Sequence, residues 1–122
     1  MIGAPPNATW GGFAGETLAG TAGLVVSGKR KQRHKGHVVG VYVADPWRRA
    51  GLGRALLDRL IQQARADGLV LLTLSVTIGN EAARRLYLRA GFTVYGVEKL
   101  SLRIGDTFLD EELMALRLDR RP

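Results

Sequence analysis

Gly51 and Gly53 stand two residues apart, with arginines at 48, 49 and 54 around them. They lie where a valine-rich stretch, His37 to Val43, gives way to leucines spaced at helical period. At such a junction the first backbone amides of the helix have no partner inside it, and the helix dipole adds partial positive charge. A glycine there lets an anion come close to the backbone without meeting a Cβ, and Arg49 and Arg54 add full charges beside it. The combination suits a pyrophosphate. It is not the G-x-G-x-x-G of a dinucleotide fold, nor the G-x-x-x-x-G-K-[ST] of a P-loop, since neither pattern occurs in the chain. Further on, Asn80 has the side chain of a helix cap. Tyr87 falls on the helix that follows, where by itself it reads as a core aromatic.

The elements that must position these residues can be read from the pattern. Trp10 to Ala14 and Leu18 to Ser27 are short apolar runs separated by Gly-Glu, which predicts a hairpin, with the basic stretch Gly28 to Gly36 as the following loop. His37 to Val43 reads as a buried strand stopped by Asp45 and Pro46, with Gly40 a bulge or close-approach point. From Gly51 to Asp67, residues Leu52, Leu56, Leu57, Leu60, Ile61 and Ala64 share one helical face, and Gly68 closes it. Leu69 to Val76 is nearly continuous in apolar residues and reads as a strand buried on both faces. Asn80 caps a second helix over Glu81 to Ala90, closed by Gly91. Phe92 to Leu102 and Leu113 to Leu118 are the last strand candidates, with a turn at Gly105-Asp106. This order predicts an α/β fold in a single domain spanning residues 1–122, with helices flanking a mixed sheet.

The segment Arg48 to Gly53 reads R-x-x-G-x-G after a strand ending Val41-Tyr42-Val43, and Asn80 to Phe92 reads N-x-x-A-x-x-L-Y-x-x-x-G-F. Together and in this order they resemble the two signatures of the GCN5-related N-acetyltransferase (GNAT) family, over roughly residues 10 to 119. The tail Gly105 to Glu111, with Met114 behind it, is similar to the ending of many bacterial members. The resemblance implies a GNAT-like, mostly antiparallel sheet and acetyl-coenzyme A (acetyl-CoA) as cofactor. It also implies an amine acceptor that attacks the acyl carbonyl directly. It gives the backbone of Val41, Tyr42 and Val43 to the pantetheine arm and the loop of Arg48, Arg49, Ala50, Gly51, Leu52, Gly53 and Arg54 to the pyrophosphate. Asn80 goes to the cofactor near the second helix, and Tyr87 to protonation of the leaving thiolate. A tyrosine hydroxyl of pKa about 10 is matched to a thiol of about 8.5 to 10. Several relatives carry a glutamate on the second core strand, where Ser75 stands here. That leaves Glu98, Asp110, Glu111, His37 or a water chain as the base.

Composition narrows the alternatives. The 122 residues are 46% apolar and 24% charged, enough for one core. No apolar run approaches the roughly 18 residues of a membrane span, and Met1 to Trp10 has no signal-peptide pattern, so the expected location is cytoplasmic. The chain has no cysteine, and its two histidines lack nearby carboxylates, so no metal site is expected. The net charge of +7 favours a polyanionic partner. A run of basic residues between Lys29 and Lys35 opens the alternative of a module that binds nucleic acid, or acyl-CoA without catalysis. No aromatic interleaves that run, so a solvated hairpin is preferred to a nucleic-acid interface. Arg84, Arg85 and Arg89 read as a solvated face ahead of a 3′-phosphate contact. Relatives usually carry a strand and one or two helices ahead of the hairpin at Trp10, where about ten residues stand here. A second copy of the chain, in a homodimer, is one way to rebuild the acceptor wall.

Overall fold

The computed structural model describes residues 8–14, 17–26, 33–43 and 51–119. Its elements run β1 (Ala8–Ala14), β2 (Thr17–Val26), β3 (Lys35–Val43), α1 (Leu52–Ala66), β4 (Leu71–Thr77), α2 (Glu81–Arg89), β5 (Thr93–Ile104) and β6 (Thr107–Arg117). The strands form one mixed, mostly antiparallel sheet in the order β1-β2-β3-β4-β6-β5, the α/β architecture expected from the sequence. By contact, the chain divides into two compact units, residues 1–72 with 117–122 and residues 73–116.

In the first unit β1 and β2 pair antiparallel from Ala8↔Leu24 to Ala14↔Thr17, and β2 pairs antiparallel with β3 from Gly20↔Val43 to Val26↔Gly36. The leucines of α1 do what their period predicts: Leu56, Leu57, Leu60, Ile61 and Ala64 are buried, with Leu57 and Leu60 at 0% exposure. Each fully buried leucine contributes roughly 1.5–3 kcal/mol relative to leaving it in water. The start of the helix is seated by missing side chains in the strands. A Cβ on Gly12 would lie 2.5 Å from Leu52 Cδ1, and one on Gly20 would lie 2.8 Å from the Tyr42 carbonyl oxygen and 3.1 Å from Leu52 Cδ2. Glycine weakens a strand interior, so its use here marks the close approach of the helix. The helix ends on Asp67, and Gly68 follows in the left-handed region at φ 79°.

In the second unit Asn80 caps α2 by accepting the Ala83 N–H at 3.3 Å, and Gly91, at φ 107°, ends the helix. Phe92 is 1% exposed, and its N–H donates to the Tyr87 carbonyl at 3.0 Å, so the helix turns directly into β5. Three expectations need correction. His37 to Val43 is not a buried strand, since Val38 alone among these residues is buried and His37, Val39, Gly40 and Tyr42 are exposed. Leu69 to Val76 is not a strand buried on both faces. In β4 only Leu72, Leu74 and Val76 are buried, and they alternate with the half-exposed Leu71, Thr73, Ser75 and Thr77. The threonines and serine supply a period-2 pattern that the leucines obscured. The last strand also starts earlier than Leu113. β6 begins at Thr107, directly after the Gly105-Asp106 turn, and carries Asp110, Glu111 and Glu112 within it. An acidic run is a weak strand former, but each of these carboxylates finds a tertiary partner: Lys99, Ser101 and Arg84 respectively.

No helix among the described residues is long and apolar enough to cross a membrane, a statement that leaves strands out of account.

Candidate functional site

In the first unit, the start of α1 has no side-chain cap. Its N-cap is Gly51, held at φ 81°, which offers no side-chain acceptor, and no acidic residue lies in the first turn. The carbonyl of Gly51 already takes the Ala55 N–H at 3.0 Å, so the i→i−4 ladder begins there. The amides of Leu52, Gly53 and Arg54 precede that ladder and have no acceptor within the helix. A Cβ on Gly51 would meet nothing within 4 Å, so glycine is needed there for its dihedral angle and not for space. Gly53 is buried in the first turn. Arg54 is less free than the sequence suggested, because its Nε bonds the Asp58 carboxylate at 2.9 Å, one turn along the same helix. Arg48, Arg49 and Ala50, expected in the same loop, lie outside the described residues, as do Lys29, Arg30 and Lys31 of the basic run.

The strand that leads to this loop carries a bulge. Gly23 faces Val39 and Thr21 faces Tyr42, so Gly40 and Val41 together oppose Ala22 alone. Gly40 takes φ 60°, and its carbonyl accepts the Thr21 hydroxyl at 2.8 Å. A bulge re-aims the backbone of the residues that follow, here Val41, Tyr42 and Val43. Val41 and Val43 are half-buried, while Tyr42 is exposed.

In the second unit, Tyr87 lies at 7% exposure with its ring edge-on to Phe92, the centroids 6.0 Å apart. Burial raises its pKa above the ordinary tyrosine value, so the hydroxyl is a weaker acid than the sequence suggested and stays protonated at neutral pH. That hydroxyl has no hydrogen bond among the described residues. Yet no fully buried side-chain oxygen or nitrogen there lacks a partner, so the hydroxyl is the part of this buried residue that reaches the surface. A sunken ring with an open hydroxyl is an arrangement that can hand over a proton. Asn80 spends its Oδ1 on the Ala83 amide, which leaves its NH₂ group as donor.

The residues considered for a base are spread out. Asp110 accepts the Leu100 N–H at 2.9 Å and the Lys99 ammonium at 3.2 Å, and these bonds hold its carboxyl below the ordinary range. It is therefore a poor base. Glu111 accepts the Ser101 hydroxyl at 2.5 Å, Glu98 faces Glu111 across the β5–β6 ladder, and His37 is exposed on β3. Ser75 is half-exposed on β4. Sequence reasoning missed the pairing of Glu112 with Arg84: the carboxylate accepts from the Arg84 guanidinium at 2.7 Å and raises its pKa. That pair withdraws Arg84 from the arginine face of α2, leaving Arg85 and Arg89 exposed. The two partners are separated by 28 residues, and no local pattern announces them.

The acetyltransferase (GNAT) family model matches residues 1–92. The chain is 40% identical over 80 residues to the L-methionine sulfoximine/L-methionine sulfone acetyltransferase of Pseudomonas paraeruginosa, an alignment covering 65% of this chain and 46% of that one. It is 35% identical over 82 residues to the L-amino acid N-acyltransferase MnaT of Escherichia coli, covering 66% and 47%. The chain thus spans about half the length of the curated relatives it matches. Among solved structures it is similar to the yncA protein of Salmonella typhimurium, solved with its cofactor acetyl-CoA. The TM-score is 0.85 at 27% identity, covering 95% of this chain and 67% of that one.

Proposed function

The chain belongs to the acetyltransferase (GNAT) family, and we propose that it moves an acetyl group from acetyl-CoA to the primary amine of an amino-acid-like acceptor. The observation that carries the proposal is the uncapped start of α1, with its left-handed Gly51 and no carboxylate in the first turn. Such a terminus is complementary to a diphosphate and is otherwise unsatisfied. In this reading the Leu52, Gly53 and Arg54 amides hold the pyrophosphate, with Arg48, Arg49 and Ala50 of the adjoining loop. The backbone of Val41, Tyr42 and Val43, re-aimed by the Gly40 bulge, takes the pantetheine amides. The Asn80 NH₂ donates to the cofactor, while its oxygen keeps α2 capped. Bound acetyl-CoA supplies an activated acyl group as a thioester. As the acceptor amine attacks the acyl carbon and the carbon–sulfur bond breaks, the Tyr87 hydroxyl would give its proton to the departing thiolate sulfur, and the proton shed by the amine nitrogen would return through water to restore the hydroxyl, with no covalent enzyme intermediate. The amino-acid-like acceptor is suggested by the substrates in the names of the Pseudomonas and Escherichia relatives. A cytoplasmic setting agrees with the cysteine-free sequence.

Calorimetric titration with acetyl-CoA, CoA, NAD and ATP tests the cofactor, and a thiol-release assay against methionine sulfone, methionine sulfoximine, free amino acids and an aminoglycoside tests the acceptor. Binding of the two CoA species alone, with turnover on the amino-acid analogues, is the expected result. Equal binding of NAD or ATP would remove the cofactor assignment. Turnover on the aminoglycoside alone would remove the acceptor class.

A further inference from the structure

The net charge of the chain is unevenly placed. Residues 28–36 carry Lys29, Arg30, Lys31, Arg33 and Lys35 with no acid, and residues 117–122 carry Arg117, Arg120 and Arg121 against Asp119. These two segments account for the whole of the +7, because the rest of the chain holds ten bases and ten acids. Far apart in sequence, they meet in the fold. The His34 carbonyl accepts the Val70 and Leu71 N–H groups at 2.8 and 3.2 Å, and the Val70 carbonyl accepts the Leu118 N–H at 2.7 Å. The Leu118 carbonyl in turn accepts from Arg65 Nη1, in the last turn of α1, at 3.4 Å. Both basic segments are therefore fastened to Val70, the residue before β4, within the first unit.

At this junction Arg33, His34, Arg65 and Arg117 are exposed and Lys35 is half-buried, while the neighbouring Leu69 and Leu118 are buried. Two carboxylates lie nearby in sequence, and both are engaged. Asp67 accepts from Gln63 Nε2 at 2.9 Å, and Asp119 accepts two bonds from Arg117 at 2.6 and 3.1 Å. Covalent geometry keeps the Cα of Lys31 within about 7 Å of that of Arg33, and the Cα of Arg120 within about 4 Å of that of Asp119. The junction is remote from the terminus assigned to the pyrophosphate. α1 has 15 residues, and its two ends lie roughly 20 Å apart.

We propose that this end of the first unit is a docking surface for double-helical nucleic acid, gripped by its phosphate backbone without regard to base sequence. Three features favour that partner over other polyanions. Most of the cations are arginines, whose planar guanidinium matches a phosphate. A protein partner needs an apolar centre and an anionic membrane binds best where an apolar side chain can insert, and the buried Leu69 and Leu118 offer neither. Single strands stack their bases on aromatic rings, and neither segment contains Phe, Tyr or Trp. A duplex keeps its bases stacked inside and presents a line of phosphates, so it asks only for charge. The same lack of aromatics that speaks against a single-strand interface is therefore no obstacle to a duplex.

Fluorescence anisotropy of the whole chain with labelled DNA and RNA duplexes, titrated over a range of salt, tests the proposal. The expected dissociation constant is about 10⁻⁶–10⁻⁴ M near physiological salt. Each phosphate neutralised adds about 0.9 to the slope of log affinity against log salt, so contacts by Arg33, Lys35 and Arg65 alone give about −2.7, and further contacts steepen it. At about 0.1 M salt, where screening acts beyond about 10 Å, Arg33→Gln with Lys35→Gln should weaken binding at least about tenfold and flatten the slope by about 1.8. Arg85→Gln with Arg89→Gln removes the same charge from exposed positions on α2 and should change binding less than about twofold. Circular dichroism checks the fold of both variants. If the first does not fold, Arg33→Gln alone decides, with a slope change of about 0.9. Saturating acetyl-CoA should leave the duplex bound. Binding of either duplex with this pattern upholds the surface, and the preferred duplex tells DNA from RNA. Four results overturn it: no binding to either duplex, equal losses from the two pairs of substitutions, displacement by acetyl-CoA, or binding to phosphatidylserine vesicles with neither duplex bound.

Discussion

The two helices of this chain begin in opposite ways. At α2 the start is closed: Asn80 accepts an amide through its side chain, and Glu81 places a negative charge in the first turn. At α1 the start is open, with a glycine that cannot cap and no acid in the first turn. Both helices face the same physical problem of unpaired amides and a positive dipole end. α2 solves it internally, as a helix does when its task is structural. α1 leaves it for something else to solve. In the proposed reading the difference separates a terminus that would bind an anion from one that positions a side chain, here Tyr87 two turns farther along.

The largest effect should come from filling the open start. Gly53→Val is expected to weaken acetyl-CoA binding by roughly a hundredfold or more, read by calorimetry, because a branched side chain takes the space a phosphate needs. Gly53 is buried, so Gly53→Ala should accompany it. If the alanine variant stays folded and binds like the parent, the phosphate does not approach that position. At the closed helix the change should fall on turnover instead. Tyr87→Phe should lower kcat by at least about tenfold with cofactor affinity nearly unchanged. Near-parent turnover would take Tyr87 out of the chemistry. Burial holds the Tyr87 pKa above about 10, so its ionisation should remove activity only above that pH. A limb of the kcat profile between about pH 6 and 9 must then belong to another group.

The same contrast explains what the sequence could and could not reveal. Gly51, Gly53, Asn80, Tyr87 and Gly91 act through local backbone geometry or helical spacing, so they stand out in a linear reading. The caps, the α1 face and the Gly40 bulge are legible for that reason. The Arg84–Glu112 pair and the engagement of Asp110 with Leu100 depend on residues brought together from 10 to 28 positions apart. Nothing in the local pattern of Asp110-Glu111-Glu112 marks a strand, because its three carboxylates are satisfied only once β5 and α2 are in place. The alternation of β4 was present in the sequence, but Thr73 and Ser75 were outweighed by the leucines around them.

Smaller effects test the caps themselves. Asn80→Ala should cost about 1 kcal/mol of stability, the ordinary value of an N-cap, measured by denaturant unfolding. Gly51→Ala should cost a similar roughly 1–2 kcal/mol because alanine resists the left-handed backbone. Both belong to the proposed cofactor site: Asn80→Ala would remove one side-chain donor, whereas Gly51→Ala would disturb the terminus that holds the pyrophosphate. If Asn80→Ala weakens acetyl-CoA binding more than Gly51→Ala does, the assignment of open and closed ends is reversed.

The smallest change is also the most discriminating, because its two readouts should move in opposite directions. Arg54 is bound to Asp58 at 2.9 Å, with both side chains nearly half exposed. Asp58→Asn removes an exposed i,i+4 ion pair, worth about 0.3–0.5 kcal/mol, so stability should fall by no more than that. The same substitution releases the Arg54 guanidinium beside the open amides and removes a negative charge from their vicinity. If Arg54 serves the pyrophosphate, acetyl-CoA should bind roughly two- to fivefold more tightly at low salt, and the gain should shrink as salt screens it. Unchanged affinity would mean that the backbone amides hold the anion without Arg54. A loss of affinity would mean that the Arg54–Asp58 pair is part of the site's geometry, with Asp58 holding the arginine in place.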